Sequence, residues 1–331
     1  MHIEILKPGL LTTIQDRGRL GYRHIGMPTA GCMDEFAAST ANILVGNEAY
    51  LPVLELTYGG VELMAHSDLL IACCGGGASL IAKGKELPFW KPLFIPSGTK
   101  LKFVTNDSGV RQYLAVVGGW SCKEVLNSRS TYLPTHTGGH EGRALRTGDT
   151  LHSNQDISLL SGTMLLALSN DQAIAYPKWS VNPLQFVNYQ TKSIRFMPGH
   201  EYEWFNKDTQ LKFENSNFNL SQQSNRMGCY FDGPLLKTKV ARALRSTAVS
   251  SGTLQVTNSG KIVLLMADSQ TTGGYPRIAQ LAAVDLPICA QLRPGESIRF
   301  EKIDIDQADE LLSNRLRHMD SLKDIVKSHF L

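Results

Sequence analysis

The chain has 331 residues, of which 42% are apolar and 19% charged, which excludes a disordered chain and predicts about two domains. Its formal net charge is +3, from 33 basic and 30 acidic residues without a long basic run, so a nucleic-acid footprint is not expected. No stretch approaches about 18 uninterrupted apolar residues, which excludes a membrane helix, and Met1–Pro8 lacks the basic region and apolar run of a secretory signal.

In chain order, the first clear element is Met33–Val45. It places Met33, Phe36, Ala37, Ala41 and Leu44 near one face, and Gly46-Asn47 closes it, so a helix is expected there. Asp68–Cys74 runs into Gly75-Gly76-Gly77, Tyr113–Val117 into Gly118-Gly119, and Lys261–Ala267 into Asp268. Each reads as a buried strand closed by a turn. Leu101–Val104 and Ser297–Phe300 alternate as half-buried strands do. A short helix is expected around Asp285–Gln291, with Asp285 as its cap and Pro287 in its first turn. The last 26 residues repeat Leu312, Leu316, Met319, Leu322, Val326 and Phe330 at helical spacing. Strands outnumber helices, so the chain reads as mainly β. The cysteines at 32, 73, 74, 122, 229 and 289 form no Cys-x-x-Cys pair. They read as buried thiols of a reducing, cytoplasmic setting.

An internal repeat organises the rest. Arg19-x-Gly21-x-x-x-x-Gly26 matches Arg226-x-Gly228-x-x-x-x-Gly233. Leu54-x-Leu56-Thr57-x-x-Gly60 matches Leu254-x-Val256-Thr257-x-x-Gly260, and Gly98-x-x-Leu101-Lys102-Phe103 matches Gly295-x-x-Ile298-Arg299-Phe300. The matches keep one order and a nearly constant offset, too long for a solenoid. Two tandem copies of a β domain are expected. The first spans 1–180 with an inserted segment of about 104–180, the second 181–305, and 306–331 is the C-terminal amphipathic helix. Tyr176–Pro183, with two prolines, is the connector.

Common site motifs are missing: no phosphate-binding Gly-x-x-x-x-Gly-Lys loop, no Gly-x-Ser-x-Gly elbow, no His-Glu-x-x-His. His136-Thr137-Gly138-Gly139-His140 has metal-like spacing, but its glycines argue for a turn, and no metal site is expected. Four polar clusters remain: Thr12–Arg19, Asn127–Thr131, Ser224–Gly228 and Asp268–Pro276. Arginine forks suit carboxylates and phosphates, and carboxylates with amides suit proton transfer and amide recognition. The alternative is that the same residues clamp turns of the β domains.

These residues carry a resemblance. Gly9–Tyr22, with Thr12-Thr13-Ile14-Gln15-Asp16-Arg17-Gly18-Arg19 at its centre, resembles the opening of the biotin-dependent carboxyltransferase family, also called allophanate hydrolase subunit 2. Met33-Asp34, Glu55–Gly60, Ser128–Thr131, Gly142–Asp149, Asn225–Gly228, Gly252–Val256 and Asp268–Pro276 fit the same family in order, across residues 3–301. Departures occur at Cys229-Tyr230-Phe231-Asp232, where Tyr-Arg-Leu-Glu is usual, at Thr257–Gly260, which lacks the usual prolines, and at Asn127, which replaces a glycine.

The resemblance implies two cyclophilin-like β-barrel domains. It also implies a component of an ATP-dependent 5-oxoprolinase that opens 5-oxo-L-proline to L-glutamate. Its partners would be a cyclophilin-like B subunit and an A subunit of the lactam-utilisation type, with ATP and Mg2+ at the level of the complex. Two alternatives stay open: carboxyl transfer from carboxybiotin to urea or a related amide, and non-enzymatic regulation of a partner cyclophilin-like protein. Within the matched motifs, residue chemistry nominates Asp16, Arg19, Arg129, Arg226 and Asp268 as catalytic, with the arginines as clamps. Gln15, Asn225, Gln255, Gln270, Thr271 and Tyr275 are nominated for substrate binding.

Overall fold

Ile3 and Ile5 are buried while His2 and Glu4 between and beside them are partly exposed, the period-2 pattern of a strand with one wet face. The computed structural model, which describes residues 1–169, 173–239 and 244–331, turns many such patterns into a mainly β chain. It divides into two units: 1–18, 30–186 and 317–331 form one, and 19–29 with 187–316 the other.

The first unit contains, in order, β1 (His2–Pro8), β2 (Leu11–Gln15), α1 (Glu35–Leu44), β3 (Val53–Thr57), β4 (Val61–Ala65), β5 (Leu69–Gly75) and β6 (Ala78–Ala82). It continues with β7 (Lys85–Leu87), β8 (Pro92–Ile95), β9 (Lys100–Thr105), β10 (Arg111–Val116), β11 (Thr150–His152) and α2 (Leu159–Leu168). Two antiparallel sheets result, ordered β11-β1-β4-β9-β6-β7 and β2-β3-β10-β5-β8. Part of the stretch expected as an insertion, β10, is a central strand paired with β3 and β5.

Strand β5 explains why its sequence is continuously apolar. Leu69, Ile71 and Cys73 face the core shared with Ile3, Leu63, Leu101 and Phe103 of the other sheet. Leu70, Ala72 and Cys74 face α1 and Met164 of α2. A strand covered on both faces has no wet side to encode. The adjacent thiols therefore point apart, and burial pushes both up from the ordinary range. Helix α1 is buried along almost its whole length. The Asp34 carboxylate caps it by accepting from Ala37 N at 2.9 Å.

The second unit holds β12 (Ser193–Pro198), α3 (Lys207–Asn215), β13 (Phe218–Leu220), β14 (Gly228–Asp232), β15 (Thr247–Ala248), β16 (Thr253–Val256) and β17 (Ile262–Leu265). Then follow β18 (Thr272–Gly273), β19 (Arg277–Leu281), α4 (Leu286–Gln291) and β20 (Ser297–Lys302); α5 (Ile305–Ser328) comes last and is divided between the units. Seven of these strands close a barrel in the order β12-β19-β16-β17-β14-β13-β20, with β12 and β20 parallel. Phe196, Phe213, Phe218, Phe231 and Phe300 fill it, with ring centroids as close as 4.8 Å. Helix α4 forms where expected, but Asp285 does not cap it with its side chain. Its carboxylate instead takes Arg195 N at 2.7 Å and Arg195 Nε at 2.9 Å. A guanidinium fork across two segments outcompetes a local amide for a fully buried carboxylate.

Helix α5 starts in a capping box: Asp304 Oδ1 accepts from Gln307 N at 2.8 Å, and Gln307 Oε1 accepts from Asp304 N at 3.0 Å. Its residues to Leu316 fall in the second unit and those from Arg317 in the first. Leu322 and Val326 are buried in the core beside α1, and Trp179 stacks on His329 at 4.8 Å. Leu312 and Leu316 are exposed. No helix among the described residues is long and apolar enough to cross a membrane.

Candidate functional site

In the first unit, the end of β2 is laced to residues 128–131. Ile14 O accepts from both the amide and the hydroxyl of Thr131, at 2.9 and 3.0 Å. This pairing holds Asp16 over Ser128–Ser130. Asp16 Oδ1 accepts from Ser128 Oγ at 2.6 Å, Ser130 Oγ at 2.5 Å and Gly18 N at 2.8 Å, and Oδ2 accepts from Arg129 N at 2.5 Å. Four neutral donors thus hold one carboxylate, and among the described residues no cation pairs with it. Gly31 must be glycine here. Its φ is +90°, and a Cβ would lie 3.0 Å from the Arg17 and Asp16 carbonyl oxygens.

Gln15 is fully buried next to Asp16 in sequence. Its Nε2 donates to Thr13 Oγ1 at 2.9 Å and Thr131 O at 3.2 Å, while Oε1 has no partner among the described residues. The Arg129 side chain turns away from Asp16, donating to Cys122 O at 3.3 Å and pairing with Glu124 at 3.1 Å. Burial pushes the Cys122 thiol up to about 11. Leu126 and Asn127 have φ of +54° and +56°. Asparagine tolerates this left-handed region better than most side chains.

Sequence reasoning left out a second polar network. Glu55 Oε2 accepts from Tyr113 Oη at 2.8 Å and Met33 N at 2.9 Å, and Tyr113 Oη accepts from Asp34 N at 2.8 Å. All four residues are buried, and burial, with Glu55 and Asp34 nearby, pushes the Tyr113 hydroxyl well up. The network anchors the start of α1. Its signal was a lone glutamate inside the apolar strand Val53-Leu54-Glu55-Leu56. His136 occupies a left-handed turn, as its flanking glycines suggest, and His140 lies 3.4 Å from Asp149.

In the second unit, the β14–β17 ladder explains the next cluster. Gly228 pairs with Leu265, and beyond that register Met266 N donates to Met227 O at 3.0 Å and Asp268 N to Arg226 O at 2.9 Å. The extension sets Arg226 beside Asp268. Nε donates to Oδ2 at 2.9 Å and Nη2 to Oδ1 at 3.0 Å, both side chains being buried. Asn225 Oδ1 accepts from Met227 N at 2.8 Å, closing its own turn. Gln255 Nε2 donates to Tyr275 O at 3.1 Å, and Val249 N to Thr271 O at 3.0 Å. Gln270 and Tyr275 are exposed, and Thr271 is half-buried. Arg19, also in this unit, is fully buried, with its backbone N donating to Thr29 O at 2.7 Å. In Cys229–Asp232, Phe231 enters the aromatic core while Tyr230 is exposed.

The nominated residues thus fall into two groups, Gln15, Asp16 and Arg129 in one unit, and Arg19, Asn225, Arg226, Gln255, Asp268, Gln270, Thr271 and Tyr275 in the other. Among the described residues, no three His, Cys, Asp or Glu side chains converge as a metal-ligand set.

Comparison with known proteins supplies the context. A model of the carboxyltransferase domain, subdomains A and B, matches residues 25–302. The chain is 34% identical to the C subunit of 5-oxoprolinase from Haemophilus influenzae over 98% of both chains. It is 34% identical to the C subunit of the Escherichia coli 5-oxoprolinase over 97% of both. The solved structure of Kluyveromyces lactis urea amidolyase superposes with a TM-score of 0.84 at 27% identity, covering 97% of this chain and 20% of that one. Urea carboxylase of the same yeast gives the same score and identity, with 29% of its length covered.

Proposed function

The chain belongs to the carboxyltransferase domain family, and from that premise we propose that it is the C subunit of a 5-oxoprolinase, opening 5-oxo-L-proline to L-glutamate as part of a complex. The observation that carries this reading is the end-to-end similarity to two bacterial 5-oxoprolinase C subunits. The complex would include a cyclophilin-like B subunit and an A subunit of the lactam-utilisation type, in the cytoplasm.

An unstrained five-membered lactam is a poor electrophile with a poor leaving group. ATP would supply the activation, by transfer of a phosphoryl group to the amide oxygen. Nucleotide and metal ion are assigned to the level of the assembled complex. This chain would contribute polar groups held in fixed positions. Asp16, a carboxylate fixed in place by four neutral donors, is assigned proton acceptance. Arg226 and Asp268 form a rigid pair, and Arg19 and Arg129 are further cations for oxyanions. Gln15, Asn225, Gln255, Gln270, Thr271 and Tyr275 are the amides and hydroxyls assigned to the lactam. Of these, Asn225, Gln270 and Tyr275 have the accessibility that direct contact requires.

The test is ATP-dependent glutamate release from 5-oxoproline by the co-purified complex, with each component omitted in turn. Activity should need this chain, and this chain alone should be inactive. Full turnover without it would end the reading. Likeness to urea carboxylase favours a second one, carboxyl transfer from carboxybiotin to urea or a related amide. Urea-dependent consumption of carboxybiotin by the same preparation, with no glutamate release, would select it.

A further inference from the structure

The first unit has an open pocket of about 590 Å³ that neither polar cluster includes. Its walls are the glycines ending β5, the β6–β7 hairpin, Trp90, Lys91 and Tyr176. The glycines are required: a Cβ on Gly75 would lie 2.2 Å from Arg111 O, and one on Gly76 2.0 Å from Ser108 O. Trp90 sits at φ +62°, a strained conformation for a bulky side chain. Its backbone is held there by Cys73 O, which accepts from Trp90 N at 2.8 Å, and by Val181 N, which donates to Trp90 O at 2.8 Å.

Lys91 is the unusual group. It is only 8% exposed. Its Nζ donates to Pro177 O at 3.0 Å and Lys178 O at 3.4 Å, and lies 5.4 Å from the Tyr176 ring centroid. No carboxylate among the described residues forms an ion pair with it; Glu86, on the pocket lining, is exposed. Buried ammonium groups ordinarily have an anion beside them, because carbonyl dipoles and a ring face offset only part of the lost hydration. Two of the three N–H donors are engaged, and the third has no acceptor among the described residues.

We propose that this pocket binds a small ring-bearing carboxylic acid, its carboxylate against Lys91 and its ring against the Trp90 and Tyr176 side chains. The carboxylate and ring chemistry does not rest on the proposed function, and 5-oxoproline in this pocket would occupy a second site, apart from the residues assigned to the lactam.

The experiment titrates the full chain by tryptophan fluorescence and ligand-observed NMR. The probes are L-5-oxoproline, cyclopentanecarboxylate and their uncharged counterparts 2-pyrrolidinone and cyclopentanecarboxamide. Cyclopentanecarboxylate should bind at least tenfold more tightly than its amide. Lys91→Met should erase that preference, and Lys91→Arg should keep part of it. No preference in the wild type, or an unchanged one in Lys91→Met, overturns the proposal. If Lys91→Met does not fold, Tyr176→Ala decides: this side chain is 45% exposed, so its loss should weaken cyclopentanecarboxylate at least threefold without lowering Tm, and unchanged affinity overturns the proposal. Failure of the complex to open 5-oxoproline would remove the functional reading alone, since the cyclopentane probes do not depend on it.

Discussion

The two β units hold carboxylates by different means. In the second, guanidinium forks do so: Arg226 on Asp268, Arg277 on Glu201 and Arg195 on Asp285. In the first, half-buried Asp16 rests on hydroxyls and backbone amides, while Glu55 takes the Tyr113 hydroxyl and the Met33 amide with the Arg111 guanidinium 3.9 Å away. The backbones differ in parallel. Both units open on a similar strand, Ile3-Glu4-Ile5-Leu6-Lys7-Pro8-Gly9 and Ile194-Arg195-Phe196-Met197-Pro198-Gly199. In the second unit β20 pairs parallel to that strand and closes the ring, whereas in the first β11 takes an edge of β1 antiparallel and two sheets result. An ion pair neutralises its carboxylate and staples two segments. A cradle of neutral donors positions the carboxylate and leaves its charge in place. Similar Asp-and-Arg clusters in a sequence can therefore have opposite electrostatic character.

The largest expected effect tests the stapling. Arg226→Met should cost about 3–5 kcal/mol, because it strands a buried carboxylate, and the double variant Arg226→Met with Asp268→Leu should recover much of that. Urea unfolding of the singles and the double reads it; a double variant as unstable as the sum of the singles would break the contrast. Next is the cradle. Asp16→Ala removes four donors' common acceptor and should cost about 2–3 kcal/mol, with Asp16→Asn in between. Equal loss from Asp16→Asn would show that charge, rather than acceptor geometry, holds residues 128–130.

A smaller effect comes from an exception in the first unit, where Arg143 forks onto Asp149 at 2.7 and 2.9 Å. The hydrogen bonds from Arg143 hold the Asp149 carboxyl at about 2, below its ordinary 3.8. A depressed carboxylate stabilises the fold above its unfolded value and loses that contribution as pH falls through the folded one. Arg143→Ala should remove about 1 kcal/mol at pH 7, after allowance for solvent screening, and flatten the loss of stability between about pH 4 and 2. Glu201 has the same sign: burial raises it, but hydrogen bonds from Arg277 outweigh that and lower it. A pH-stability curve identical in wild type and Arg143→Ala would contradict the assignment. Smallest of all, Gln270→Ala on the exposed turn after β17 should change stability by less than about 0.5 kcal/mol. It should nevertheless lower turnover by the assembled complex, and unchanged turnover removes Gln270 from the substrate set.

Much of the fold was legible because it is written in periodicity. The apolar run of β5, helix α1 with its Gly46 stop, and the spacing of Leu322 and Val326 in α5 all formed where their patterns place them. The repeat was legible in part. Gly98 and Gly295 both take positive φ ahead of β9 and β20, yet Arg19 lies in a loop after β2 while Arg226 leads directly into β14. Short motifs record turn chemistry, not strand partners, so they could not reveal that one unit closes and the other does not. The candidate site was legible as residue types alone. That Arg226 meets Asp268 depends on a ladder joining residues 42 apart. That Asp285 serves Arg195 rather than its own helix depends on tertiary approach. Lys91 carries no local signal, since what distinguishes it is the absence of an anion around it among the described residues.

Cys73 and Cys74 are consecutive, yet each lies in a different packed layer: one between the sheets, the other under the helices. Neither thiol can react while its layer is closed, so each single-cysteine variant becomes a clock for one interface. Pulse alkylation of the two would time the parting of sheet from sheet and of helix from sheet separately, at positions one peptide bond apart. The order in which they label is the order in which this unit comes undone.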